Sequence, residues 1–180
     1  MVVGLSVGAF TLVHVFITLV AIASGFVVVF GLIGSHRLLK TTAIFWLMTV
    51  LTTVTGFMFF LSPAQAKVLT PATLTGIVAT ILFIPGLTAL YAKHLDGNWR
   101  WIYVVSAVIS LYLNVFVLIV QSFGKLKIIN PAASFDPPFG PPFPPPTDFH
   151  FAVVQGVTLV IFVMLGIIAT IKFKRAPGQV

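Results

Sequence analysis

The chain is 180 residues long, 59% hydrophobic and only 7% charged, with a mean hydropathy of +1.14. A soluble domain carries about a quarter of its residues as charges, so this composition describes an integral membrane protein, one bundle without a separate soluble domain. The formal net charge of +7 lies in short loops between apolar runs, which is a topology pattern and excludes nucleic acid as the partner; the bilayer is the partner the composition requires. Because there is no cysteine, disulfides, thiolate metal sites and thiol nucleophiles are excluded as well.

Five apolar segments are long enough to span, at about 3–33, 41–61, 72–92, 101–123 and 149–171. The fold class expected is therefore an all-α polytopic transmembrane bundle. No Lys or Arg precedes the first run, and that run exceeds a signal-peptide core, so it reads as the start of a retained helix. Segment one sets Thr11, His14, Thr18, Ala21 and Gly25 on one face. Gly4 and Gly8, like Ala21 and Gly25, are small-xxx-small pairs that let helix backbones approach, within the chain or in an oligomer. Segment two repeats the pattern with Thr42, Thr49, Thr52 or Thr53, and Gly56; segment three offers Thr73, Gly76 and Thr80, then Pro85, which predicts a kink.

Segment four carries the most polar stripe. Ser106, Ser110, Asn114 and Gln121 follow at gaps of four, four and seven residues, with Tyr103 on the same side. An Asn in hydrocarbon without a partner is costly, so this stripe predicts a face turned to protein or enclosed water. Segment five aligns Gln155, Thr158, Phe162, Gly166 and Ala169.

The connections alternate in charge. Arg37 and Lys40, Lys93 and Arg100, and the tail residues Lys172, Lys174 and Arg175 place seven basic residues on one side, against Lys67, Lys125 and Lys127 with Asp136 and Asp148 on the other. The positive-inside rule then predicts an outer N-terminus and a cytoplasmic C-terminus, with Trp99, Trp101 and Tyr103 in the cytoplasmic aromatic belt. The long outer connection, 124–148, contains FDPPFGPPFPPP. It favours polyproline II and is suited to lying across the bundle mouth, entering the lipid interface through Phe135, Phe139 and Phe143, docking a membrane-protein partner, or acting as a spacer.

Catalytic chemistry has little to work with. The acids are Asp96, Asp136 and Asp148, all in loops, so the spans offer no carboxylate pair and no buried acid for proton-coupled transport. Histidine is the remaining lead. His14 and His150 fall on the outer side, His36 and His94 on the cytoplasmic side, which is the arithmetic of a two-haem b-type cytochrome. His14 lies deeper than His150, and His36 and His94 read equally as interfacial residues. A second reading gathers His14, Asn114, Gln121 and Gln155, with Thr11 and Thr18, beneath the long outer loop. One imidazole and three carboxamides suit a neutral polar headgroup such as a quinone ring or a lipid carbonyl; the same groups also serve as interhelical glue at about 1 kcal/mol or less per bond.

The stretch LYLNVFVLIVQ, Leu111 to Gln121, resembles a segment of small uncharacterised bacterial multi-pass membrane proteins. That resemblance implies a bacterial cytoplasmic membrane and brings no activity, cofactor or catalytic residue. The function expected is a non-enzymatic membrane binding or interaction protein, such as an accessory subunit. The rivals are a haem b or quinone protein using His14, and a small-solute transporter acting as an oligomer.

Overall fold

A computed structural model describes residues 2, 4–59, 71–126, 129 and 149–173. Its described residues form α1 (Val7–Ile33), α2 (Leu39–Met58), α3 (Pro71–Leu87, continuing as π-helix through Thr88–Ala92), α4 (Trp99–Lys125) and α5 (Phe149–Lys172). Five helices are long and apolar enough to cross a membrane, and no strand occurs among the described residues. Most of the 124–148 connection, including Phe135, Phe139 and Phe143, lies outside the described residues, as do Lys67, Lys127, Lys174 and Arg175.

Contacts fix the relative directions. Phe10 near the start of α1 meets Phe59 just beyond the end of α2, Phe123 near the end of α4 meets Phe151 at the start of α5, and Ser35 beyond α1 donates to the Lys172 carbonyl at the end of α5. α1 and α2 are therefore antiparallel, as are α4 and α5, while α1 and α5 run parallel. α1 and α4 are the central members, 44% buried over their most apolar windows, against 17% for the α3 span and 11% for α5. The outward surfaces of α3 and α5 are Ile, Val and Leu. In lipid such side chains gain nothing by association, so what holds the bundle is close packing and hydrogen bonding along the stripes.

The stripes do turn inward. Thr18, Ala21 and Gly25 of α1, Thr42, Thr49 and Thr53 of α2, Tyr103, Ser106, Ser110 and Asn114 of α4, and Gln155, Phe162 and Ala169 of α5 are all buried. The small residues serve contacts within this chain. A Cβ on Gly25 would lie 2.6 Å from Leu111 and 2.8 Å from Phe45, and one on Gly86 would lie 2.6 Å from the Trp46 ring. Ala21 and Gly25 are consumed by the intrachain contact. Gly4 precedes α1 in a turn with φ +79°, closed by Val2 and Leu5, so Gly4 and Gly8 are not a helical pair.

Local signals explain the helix ends. Ser6 caps α1, its hydroxyl accepting from the Ala9 amide at 3.2 Å. At the other end Ser35 adopts φ +60°, and the His36 amide reaches back to the Gly31 carbonyl at 2.8 Å, a left-handed C-terminal stop formed without glycine at that position. Pro85 sits inside α3, where it deprives the Ile81 carbonyl of its usual donor. The register then widens into the π-turn Thr88–Ala92, with the Lys93 amide bonded to the Thr88 carbonyl at 2.9 Å. The interruption foreseen at Pro85 is thus accompanied by a wider helical register.

Candidate functional site

Two polar features occupy different depths of the bundle. The first is a seam between α1, α2 and α4. Residues three apart on α2 (Thr49, Thr52 and Thr55) present hydroxyls toward the stripes of α1 and α4. Thr55 Oγ1 bonds the Leu51 carbonyl at 2.7 Å and lies 2.7 Å from His14 Nδ1. A threonine hydroxyl has a single hydrogen, so both contacts are satisfied when Thr55 donates to Leu51 and His14 carries its proton on Nδ1. Deeper in the bundle, Thr18 Oγ1 donates to the His14 carbonyl at 2.8 Å and lies 3.4 Å from Thr52 Oγ1. Asn114 Nδ2 donates to Thr49 Oγ1 at 3.4 Å. The His14 ring also packs edge-on against Phe59 at 5.4 Å.

The cluster expected from the sequence is dispersed by these bonds. Asn114 is tied to α2. Gln155 Nε2 is tied to the Phe116 carbonyl of α4 at 3.1 Å. Gln121 is half-buried and its side chain closes no hydrogen bond with the described residues, while Thr11 folds back on the Val7 carbonyl at 2.8 Å. The α2 threonines take up three members of the set: Thr55 meets His14, Thr52 lies near Thr18 and Thr49 accepts from Asn114. Three buried polar atoms lack a partner among the described residues: Trp46 Nε1, Ser110 Oγ and Gln155 Oε1. Each such atom costs roughly 1–3 kcal/mol.

The second feature is an interfacial pocket at the opposite end, between the α1–α2 and α3–α4 connections. It encloses about 280 Å³. Its polar lining is His36, Arg37, Thr42, Tyr91, His94 and Tyr103, and Leu32, Leu39 and Leu90 are among its apolar walls. His36 and His94 are exposed, Arg37 is half-buried and Tyr103 is buried. The Tyr103 hydroxyl is within hydrogen-bonding reach of Thr42 and Trp46, although at the Trp46 indole the geometry closes no bond. The indole N–H is unsatisfied among the described residues, because reach alone does not align donor and acceptor. The guanidinium of Arg37 has no ion pair among the described residues.

Unusual backbone builds this pocket from both sides. Ser35, His94 and Leu95 are non-glycine residues with φ of +60°, +47° and +62°. Left-handed conformations of this kind cost roughly 1–3 kcal/mol each and concentrate at ligand clamps and active sites. The π-turn carries Tyr91 and Leu90 into the same wall, and π-turns are frequent at functional sites. The sequence joins His36 and His94 only as a haem pair at one end, and gives Arg37, Tyr91 and Thr42 no role in a site. The available signal was the repetition of histidine beside a basic residue in SHR and AKH.

Of the histidines proposed as haem ligands, His14 and His150 lie at different distances from their helix starts, whereas His36 and His94 line one cavity. Axial ligands must face each other across the macrocycle at one depth. His14 lies eight residues into α1 and His150 two residues into α5, a difference equivalent to about 9 Å of helical rise at about 1.5 Å per residue. No group of three or more metal-ligating side chains occurs among the described residues. No protein-family model, curated protein or solved structure matches this chain.

Proposed function

We propose that this chain is a membrane binding protein without enzymatic activity of its own, which holds the polar head of an amphiphile in the interfacial pocket and serves as an accessory subunit of a larger membrane complex. The observation that carries the reading is the joining of Arg37, His36, His94 and Tyr91 with apolar walls in one cavity of about 280 Å³. A cavity with convergent polar groups and an apolar wall suits a ligand that is polar at one end. The seam of His14, Thr55, Thr18 and Thr52 acts in this reading as interhelical glue, because its members already bond one another. In this proposal the N-terminus faces out and the pocket faces the cytoplasm of a bacterium. The positive-inside count supports that orientation: Arg37, Lys40, Lys93, Arg100 and Lys172 share the pocket end. The proline-rich run within 124–148 supplies a docking segment on the far side.

The test is native mass spectrometry of the protein isolated from its own membranes in mild detergent, with organic extraction of whatever is bound. Adducts of amphiphile mass and a co-purifying membrane subunit are expected. A bare chain of 19.4 kDa would end the reading, and recovery of a quinone would turn it toward redox chemistry.

A further inference from the structure

We propose that the interfacial pocket selects an anionic, phosphate-bearing headgroup, anchored by Arg37 and completed by His36, His94 and Tyr91. The inference rests on the binding reading above and adds the charge of the ligand. Its first support is the balance of groups in the lining. Arg37 brings five N–H donors and a permanent positive charge, the imidazoles and hydroxyls add further donors, and no carboxylate lines the cavity among the described residues. Its second support is that Arg37 is half-buried and has no ion pair among the described residues. A partly buried guanidinium is best stabilised by an anion, and a planar fork meets two phosphate oxygens at once.

A third support is placement. The π-turn and the left-handed residues His94 and Leu95 bring Tyr91 and His94 across from Arg37, so the donors come from two separate connections. Leu39 and Leu90 line the same cavity, which accommodates the first methylenes of an acyl chain below a bound phosphate. The charged rim attracts an acidic leaflet before any specific contact forms. Inorganic phosphate and an anionic phospholipid share the recognised chemistry, and they differ in the need for that apolar wall.

Purified full-length protein in detergent, stripped of lipid, would be titrated by native mass spectrometry with short-chain phosphatidylglycerol or phosphatidylcholine, with and without inorganic phosphate. We expect phosphatidylglycerol to bind at least ten-fold more tightly than phosphatidylcholine. Arg37→Gln should abolish that preference, Arg37→Lys should keep part of it, and Arg100→Gln, outside the pocket, should leave it intact. The joint variant His36→Gln, His94→Gln should weaken phosphatidylglycerol several-fold. Displacement by phosphate would identify the headgroup alone as the ligand; persistence against phosphate would identify the whole lipid. Equal affinity for the two lipids in the unaltered protein would overturn the charge selection while leaving the binding reading standing. Failure to bind either lipid or phosphate would remove both. Unchanged preference in a monodisperse, helical Arg37→Gln protein would remove Arg37 as the anchor.

Discussion

Gly86→Ala tests whether the close approach of α3 to α2 and α4 organises the bundle. A Cβ at Gly86 would stand 2.6 Å and 2.9 Å from two carbons of the Trp46 ring and 2.9 Å from Ser106 Cβ. Carbon atoms in contact normally stay about 3.5–4.0 Å apart. The ring has nowhere to go, because Trp46 is 2% exposed, and Ser106 Cβ is fixed to its backbone. Overpacking of this kind costs about 1–3 kcal/mol, offset by up to about 1 kcal/mol of improved helix propensity. The net expectation is a loss of about 1–2 kcal/mol. Gly156→Ala is the matched control, since its added carbon meets nothing within 4 Å and only the propensity gain remains. Reversible unfolding of both variants in mixed micelles, followed by far-ultraviolet circular dichroism, reads the difference. Two variants of equal stability would refute the packing argument. Because Gly86 lies just before the π-turn that carries Tyr91, displacement of α3 should also weaken ligand binding in the pocket.

Two further outcomes are expected. Thr55→Val and His14→Ala should each destabilise by about 1 kcal/mol, and a double-mutant cycle should show coupling of about 0.5–1.5 kcal/mol through the 2.7 Å contact; additive effects would mean that this contact contributes nothing. The chain has no cysteine, so Asn98→Cys and His150→Cys, both at exposed positions, can be labelled with an impermeant maleimide without background. Asn98→Cys should react only in inverted vesicles and His150→Cys only in intact cells, and the reverse pattern would invert the proposed orientation.

Much of the architecture was legible because lipid imposes few solutions. A backbone in hydrocarbon must satisfy its own hydrogen bonds, so five long apolar runs declare five helices, and the small or polar stripe declares the inward face of α1, α2, α4 and α5, while Gly76 and Thr80 of α3 are only half-buried. Ser106, Ser110 and Asn114 are buried as their spacing predicts. Partner choice was not legible. Helical spacing says that Asn114 faces protein but not that a threonine of α2 meets it at the same depth, nor that Gln155 finds the backbone at Phe116. Those outcomes depend on the relative rotation and vertical offset of helices far apart in the chain. The pocket was illegible for a second reason: it rests on left-handed Ser35, His94 and Leu95. None of these is the glycine that would announce such a conformation.

The two polar regions differ in what they can recognise, and the difference follows from depth. A formal charge near the bilayer midplane costs at least about 2.5–3.5 kcal/mol on insertion scales, and the seam accordingly contains hydroxyls, carboxamides and one imidazole. The hydrogen bonds of His14, Thr18, Thr49, Thr52 and Thr55 run to one another, to Asn114 or to backbone carbonyls, so a ligand competing for those groups would have to break bonds to make its own. At the pocket the balance is reversed. Arg37 sits where its charge is tolerated, faces a cavity, and has no ion pair among the described residues. A ligand there adds interactions without displacing any. Discrimination between ligands requires groups whose energy changes on binding, so in the proposed reading the histidine that first draws the eye, His14, holds the helices together, and recognition belongs to Arg37 and its neighbours.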